Sequence, residues 1–279
     1  MPPHKLLLCT DMDRTVVPNG SQAESPDARA RFAQLCNLPD VTLVYVTGRH
    51  QALVKQAIAD YQLPEANYAI TDVGTKIYHI KQGTWHELQS WHDEIDHAWN
   101  GYSHEQIKQL LADINDLSLQ EAEKQNTHKL SYYLPLEIDS DEVISRADAL
   151  LRDRGIAASL IWSIDEAANI GLLDVLPQNA TKLHAIEFLQ QQLGYTLDEV
   201  IFAGDSGNDL PVLTSRVHSV LVANASDDVR QTALRIARHN GHADALYLAN
   251  TNALNMNGNY SAGVLQGVWL YAPGYRDIL

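Results

Sequence analysis

Leu6-Leu7-Leu8-Cys9-Thr10-Asp11-Met12-Asp13-Arg14-Thr15 carries the chain from an unbroken apolar run into two carboxylates set two residues apart. The apolar part, ended by polar residues, reads as a buried strand. Val41–Val46 is rich in β-branched residues and reads as a second strand, and Pro26–Leu35 between the two is helical in composition. Gly48 punctuates the end of the second strand, Gln51–Tyr61 resumes a helical pattern, and Tyr68–Thr71 is a short third strand. A βαβαβ opening of this kind predicts a parallel sheet covered by helices.

The end of the chain repeats that grammar. Thr181–Leu193 sets Leu183, Ile186, Leu189 and Leu193 about one helical turn apart, which gives one buried face. Val200–Ala203 predicts a strand running into the polar stretch Gly204–Asp209. Then come a short helix at Leu210–Thr214, a strand at Val217–Val222, a helix at Asp227–Ala237, an edge strand or extended loop at Ala245–Leu248 and a closing helix at Ser261–Leu270. Asn250–Asn259, rich in Asn and Gly, reads as a loop.

The middle differs. Lys76–Ile80 and Thr84–Leu88 flank a Gln82-Gly83 turn as a hairpin. A helix near His104–Leu117, a strand at Lys129–Leu134, a helix at Ser140–Arg154 and strands at Ser159–Ile164 and Gly171–Val175 follow. The predicted fold class is α/β: a three-layer, Rossmann-like parallel-sheet core formed by residues 1–80 and 170–279, with an inserted α+β cap domain at 81–169.

Composition narrows the function classes. A chain of 279 residues, 45% hydrophobic, can bury a core in each of two domain-sized units. Twenty Lys and Arg against 35 Asp and Glu give a net charge of −15, and the basic residues are scattered singly, so nucleic acid is excluded as an expected partner. Cys9 and Cys36 read as buried free thiols rather than a disulfide framework. The apolar run after the amino terminus is too short for a signal peptide or a membrane span, so cytoplasmic residence without a membrane partner is the expectation. The twelve histidines show no zinc-site spacing, and there is no GxxxxGK string of a nucleotide-driven kinase.

Ligands of a parallel sheet bind beyond the carboxyl ends of its strands, which is where the polar residues of this chain gather. Asp11 and Asp13 follow the first strand, and residues two apart in an extended segment point the same way. Thr47 ends the second strand, Lys182 begins the late helix, and Asp205, Asn208 and Asp209 follow a fourth termination. That mixture of carboxylates, hydroxyl and ammonium suits phosphoryl transfer. A hard divalent cation such as Mg²⁺ takes carboxylate and carbonyl oxygens and neutralises the phosphate so that an anionic Asp can attack it. Lys182 and Thr47 would hold the non-bridging oxygens. Alone, the Asp-x-Asp-x-Thr string could be a turn or a helix cap, and Gly204–Asp209 a bare surface turn. Their joint placement at strand ends carries the catalytic reading. Thr10 and Thr15 read as local hydrogen-bonding residues.

DMDRT at 11–15, VTGR at 46–49, Lys182 after Asn179-Ala180-Thr181, and GDSGND at 204–209 resemble the four ordered motifs of the haloacid dehalogenase-like phosphatase superfamily. The insertion between the second and third motifs is similar to the subclass with a large α/β cap. The resemblance implies that Asp11 is the nucleophile, and that Asp13 is first the general acid and then the base that activates water. It implies phosphate binding by Thr47, Gly48, Lys182 and Asn208. It further implies Mg²⁺ held by Asp205, the Asp11 carboxylate and the Asp13 backbone carbonyl, with Asp209 at the metal or anchoring waters or the lysine. Arg14 stands where Gly or Asn is usual, and Leu183 where Gly is usual; Arg14 is expected to point away from the nucleophile or to shape the entrance.

Two further stretches, His128–Tyr133 (HKLSYY) and Asp72–Tyr78 (DVGTKIY), are similar to segments of sucrose-phosphate phosphatases. This implies a sugar phosphate as substrate, with sucrose 6-phosphate first and mannosylfructose phosphate, an amino-sugar phosphate or a hexose phosphate as alternatives. Association with a sugar-phosphate synthase is a further expectation; the rival reading, a non-catalytic binding subunit of such a synthase, is disfavoured by the paired carboxylates. The expected substrate and cap residues are Arg49, Gly74, Thr75, Lys76, Asn126, His128, Lys129 and Tyr132. The last four offer donors and a flat apolar face for a hydroxylated ring. Against that, Tyr132 and Tyr133 could simply alternate between cap core and surface. Trp85 and Trp162 read as cap core rather than sugar-stacking platforms, and closure of the cap over the core would exclude water.

Overall fold

The computed structural model describes residues 5–165, 168–251 and 254–277. β1 (Leu6–Thr10) is buried at all five positions, as an apolar strand must be when helices cover both faces of its sheet. α1 (Ala28–Cys36) leads to β2 (Val41–Val46), and α2 (Gln51–Asp60) leads to β3 (Tyr68–Thr71). The three strands pair in parallel. A hairpin of β4 (Lys76–Lys81) and β5 (Thr84–Glu87) then extends the same sheet with two antiparallel strands. Its turn takes Gln82 and Gly83 through positive φ, 48° and 75°, the backbone that a tight hairpin requires.

The chain next builds a second unit from α3 (Gln89–Asp96), α4 (His104–Leu111), β6 (Ser118–Leu119), β7 (Leu130–Leu134), α5 (Ser140–Arg152), β8 (Ala158–Asp165) and β9 (Ile170–Pro177). Its strands form an antiparallel sheet in the order β6-β7-β9-β8. α4 opens on a capping box between Ser103 and Gln106, and α5 on the Asp139 carboxylate, so the first free N–H groups of both helices have partners. Trp99, Ile107, Leu111, Leu130, Val143 and Leu173 are among the buried side chains of its core.

The first unit resumes with α6 (Lys182–Gln192), β10 (Val200–Gly204), α7 (Leu210–Leu213), β11 (His218–Leu221), α8 (Asp227–His239), β12 (Leu246–Leu248) and α9 (Ser261–Tyr271). These strands complete a sheet in the order β12-β11-β10-β1-β2-β3-β4-β5. α9 packs against α1, β10 and β11. It can lie that close because Gly267 lacks a Cβ, which would stand 1.9 Å from Cγ2 of Val220. Cys9 and Cys36 are buried free thiols, and burial pushes both well above the ordinary thiol range. Among the described residues no helix is long and apolar enough to cross a membrane.

The α/β class, the Rossmann-like core and the inserted cap are as the sequence predicts, with four differences. The core sheet is mixed rather than purely parallel, because the β4–β5 hairpin pairs with β3. The units divide at Glu87/Leu88 and Thr181/Lys182 instead of 80/81 and 169/170: β5 belongs to the core sheet, and β9 pairs along its length with β7 and β8. α3 has no counterpart among the expected elements, and the helix expected near His104–Leu117 ends at Leu111. Trp85 packs against the core-unit cluster rather than the cap core, whereas Trp162 packs against the latter. Asn250–Asn259 is loop and turn where described, with residues 252 and 253 outside the described residues.

Candidate active site

Strand register brings the motifs together. The Cα of Thr10 pairs with Ala203 on one side and Tyr45 on the other, so Asp11, Asp205 and Thr47 all emerge at one carboxyl edge within two residues of that line. Asp11 continues the ladder, its N–H donating to the Ala203 carbonyl at 2.8 Å. Carboxylate oxygens of Asp11, Asp205 and Asp209, all buried, lie within 4.8 Å of one another.

Lys182, the first residue of α6 and 4% exposed, donates to Asp11 Oδ1 at 3.0 Å, Asp209 Oδ1 at 2.8 Å and Asn208 Oδ1 at 3.2 Å. Burial lowers its pKa, but the two carboxylates more than offset this and the net shift is upward, so it stays an ammonium. The other oxygen of Asp209 accepts from the N–H groups of Asp205 and Ser206 at 3.0 and 3.1 Å. Gly204 permits this: a Cβ there would stand 2.6 Å from the Asp209 carboxylate. Thr47 is buried, and its hydroxyl accepts from the Arg49 N–H at 3.2 Å. Gly48, next to Thr47 in sequence, and Asn208, which accepts from Lys182, are exposed.

Electrostatics separates the acids. Burial raises Asp11 to about 7, with Lys182 opposing and Asp209 adding to the rise. Asp205 rises to about 6 through burial and Asp209, opposed by Arg14. Asp13 shifts downward: burial raises it, but two hydrogen bonds from Arg49 (Nε to Oδ2 at 2.8 Å, Nη2 to Oδ1 at 2.6 Å) and one from Asn19 at 2.7 Å outweigh that. Three clustered carboxylates hold more negative charge than the two cations touching them neutralise. Hard oxygen donors with an excess of negative charge fit a divalent cation. The Asp13 carboxylate is not part of that cluster.

The expected substrate residues have these local surroundings. Gly74, Thr75 and Lys76 belong to the core unit, with the Thr75 hydroxyl donating to the Asp72 carbonyl at 2.9 Å and Lys76 pairing with Glu87 at 3.1 Å. Arg49 clasps Asp13. Tyr132, expected at the sugar, turns into the cap core at 5% exposure, because period-two alternation puts it on the face of Leu130 and Leu134. His128 is 3% exposed, its Nε2 lying 3.1 Å from Asp96 Oδ1. Asn126 shapes the turn before β7, its Oδ1 accepting from the His128 N–H at 2.8 Å, and borders a cap cavity of ≈ 650 Å³. Lys129 pairs with Asp174 at 3.7 Å.

Arg14 is a residue whose partner sequence reasoning missed. Its Nε donates to Asp205 Oδ2 at 3.1 Å, which sets it against a clustered carboxylate other than the nucleophile. Its position at a motif where small residues are usual was the available signal.

Residues 4–272 match the family described as sucrose-6F-phosphate phosphohydrolase. The chain belongs to this sucrose-6F-phosphate phosphohydrolase family. Within reach of the family lie a HAD-like hydrolase of Nitrosococcus oceani, 50% identical over 272 residues (98% of this chain, 73% of that protein), and the mannosylfructose-phosphate phosphatase of Agrobacterium fabrum, 31% identical over 228 residues (78% and 83%). The structure of sucrose-phosphatase from Synechocystis sp. PCC6803 with sucrose and phosphate shares the fold, with a TM-score of 0.71 over 96% of this chain and 98% of that one at 24% identity. The chain spans about half the length of the plant sucrose-phosphatases it matches and 27% of the glucosylglycerol-phosphate synthase of Pseudomonas anguilliseptica. Family, fold and aspartate cluster make it a phosphoric monoester hydrolase of the haloacid dehalogenase superfamily.

Proposed function

We propose that this hydrolase releases phosphate from a sugar phosphate, sucrose 6-phosphate first, through a phosphorylated Asp11, with Mg²⁺ as its cofactor. The observation that carries the reading is Asp11 itself: a buried carboxylate at the sheet's carboxyl edge, held 3.0 Å from an ammonium and beside two further carboxylates. Asp11, Asp205 and the Asp13 backbone carbonyl would hold the cation, with Asp209 tied to Lys182 and to its own loop. Mg²⁺ bound there supplies charge neutralisation and polarises the phosphoryl group.

Asp11 forms the bond to phosphorus as the bond to the sugar oxygen breaks, and that oxygen takes a proton from Asp13. Asp13 then removes a proton from the water that attacks the phosphorylated Asp11, which releases inorganic phosphate and restores the carboxylate. Lys182 and Thr47 stabilise the phosphoryl oxygens, aided by Gly48 and Asn208. Asp13 must acquire a proton before it donates one, and the Arg49 clasp opposes this. Substrate phosphate, by drawing Arg49 toward itself, would release Asp13.

The substrate choice rests on the family and on the HKLSYY and DVGTKIY segments. Mannosylfructose phosphate is the second reading, favoured by the 31% identity to the Agrobacterium enzyme across most of its length. The match to part of a glucosylglycerol-phosphate synthase is consistent with work beside a synthase. Lys129 and Asn126 are the proposed sugar contacts from the cap segment. Phosphate release from sucrose 6-phosphate, mannosylfructose phosphate, trehalose 6-phosphate and glucose 6-phosphate with Mg²⁺ tests this: the highest kcat/KM is expected for sucrose 6-phosphate. Preference for glucose 6-phosphate would remove the disaccharide reading. Lys129→Ala should raise KM for the disaccharide phosphate more than for a small aryl phosphate; equal effects would remove Lys129 from the sugar site.

A further inference from the structure

Arg14 holds a left-handed backbone, φ 57°, a conformation that Gly or Asn adopts at lower cost than a long side chain. Its main chain is pinned: the N–H donates to Asn19 Oδ1 at 2.9 Å and to the Val17 carbonyl at 3.0 Å, while its carbonyl accepts from Asn224 Nδ2 at 2.6 Å. Its guanidinium is aimed as well. Nε donates to Asp205 Oδ2 at 3.1 Å and Nη2 to the Asn224 carbonyl at 3.1 Å. Asn224 is itself 4% exposed and fixed by the Tyr260 N–H, which donates to its Oδ1 at 2.9 Å. A buried support thus holds an arginine against one carboxylate of the cluster, at a backbone position that disfavours arginine.

Lys182 touches Asp11 and Asp209, and Arg14 touches Asp205. Arg49 pairs with Asp13 outside the cluster, one charge against one, and does not enter the cluster's balance. The three clustered carboxylates and their two cations therefore leave one negative charge. A divalent cation turns that into one positive charge, which attracts a phosphate dianion. Without Arg14 the same cluster would hold the cation more strongly and, once loaded, would be neutral toward the dianion.

We propose that Arg14 is a built-in competitor for the divalent cation at Asp205, one that weakens metal binding and in return strengthens binding of the substrate's phosphate dianion. The proposal rests on the metal-dependent phosphatase reading and extends it to a residue inside the DMDRT stretch to which that reading gives no role. Arg14 acts on the substrate through the charge of the loaded site, without needing to touch it.

Isothermal titration calorimetry of the full chain with Mg²⁺ alone, and then with inorganic phosphate at saturating Mg²⁺, tests this. Arg14→Asn suits the left-handed backbone and removes the charge; Arg14→Gln keeps the length and removes the charge; Arg14→Lys keeps the charge. The two neutral variants should bind Mg²⁺ about tenfold more tightly, and phosphate about tenfold more weakly, than the unaltered protein, with Arg14→Lys between them and that protein. Equal or weaker Mg²⁺ binding by both neutral variants would overturn the proposal, since Arg14 would then be positioning Asp205 for the metal. If the unaltered protein binds no Mg²⁺, the proposal and the metal-dependent reading fall together; if it binds Mg²⁺ and the neutral variants do not differ from it, only the proposal falls.

Discussion

Asp11 and Asp13 lie two residues apart and shift in opposite directions, because burial acts on Asp11 more strongly than Lys182 opposes it, whereas Asp13 takes two hydrogen bonds from Arg49. Arg49→Gln should therefore raise the Asp13 carboxyl pKa, read by NMR titration of carboxyl-labelled protein; an unchanged value would show that the clasp is not formed in solution. Asp11 and Asp205 have folded values of about 7 and about 6 against an ordinary 3.8. The metal-free folded protein thus binds those protons more tightly than the unfolded chain, and this cluster's contribution to stability falls as pH rises from about 4 to about 7. A divalent cation competes with the same protons. The stabilisation by Mg²⁺ in thermal unfolding should accordingly grow between pH 5.5 and 8, a trend absent from an Asp205→Asn variant. Asp11, Thr47, Lys182 and Asp205 were legible in the sequence because each stands at the end of a strand or the start of a helix, where register forces convergence. The ion pairs of Arg14 and Arg49 were not. They join residues 191 and 36 positions apart through long side chains, whose reach no local pattern encodes.

Among the elements, α9 depends on Gly267 and β7 on alternation. Gly267→Val would place side-chain atoms where Val220 already stands and should destabilise the chain by about 2 kcal/mol or more in urea unfolding; an unchanged midpoint would mean that α9 does not pack as closely as described. Tyr132 supplies the complementary case. Its ring lies in the cap core and its hydroxyl is buried without a hydrogen-bond partner. Tyr132→Phe should thus leave stability within about 1 kcal/mol and leave KM unaltered, while Tyr132→Ala should cost about 3 kcal/mol or more. A large rise in KM for Tyr132→Phe would restore the hydroxyl to the substrate site. The sequence displays β7 clearly, through Leu130, Tyr132 and Leu134, but hides α3. That helix buries only Trp91 and Ile95, carries no side-chain cap, and is otherwise polar, so its period is two residues long on the page. β6, two exposed residues, offers no period at all.

Across the whole molecule, chain order carries the architecture: one α/β unit is interrupted after β5 and resumed at α6, and a separate antiparallel sheet with its own core fills the interval. The four motifs reveal that plan because three of them follow strands of a single sheet and Lys182 opens a helix of the same unit. The boundaries were less legible, since a hairpin reads the same whether it joins the sheet before it or the unit after it; only pairing to β3 decides. The two segments on which the proposed substrate rests, DVGTKIY and HKLSYY, likewise fall one in each unit. Acid quenching during turnover of ³²P-labelled sucrose 6-phosphate with Mg²⁺, followed by peptide mapping, tests the central claim most directly. Label on the peptide containing Asp11, labile to hydroxylamine and absent from Asp11→Asn, is the expected result; rapid phosphate release with no label on that peptide, or from the Asp11→Asn protein, would contradict it.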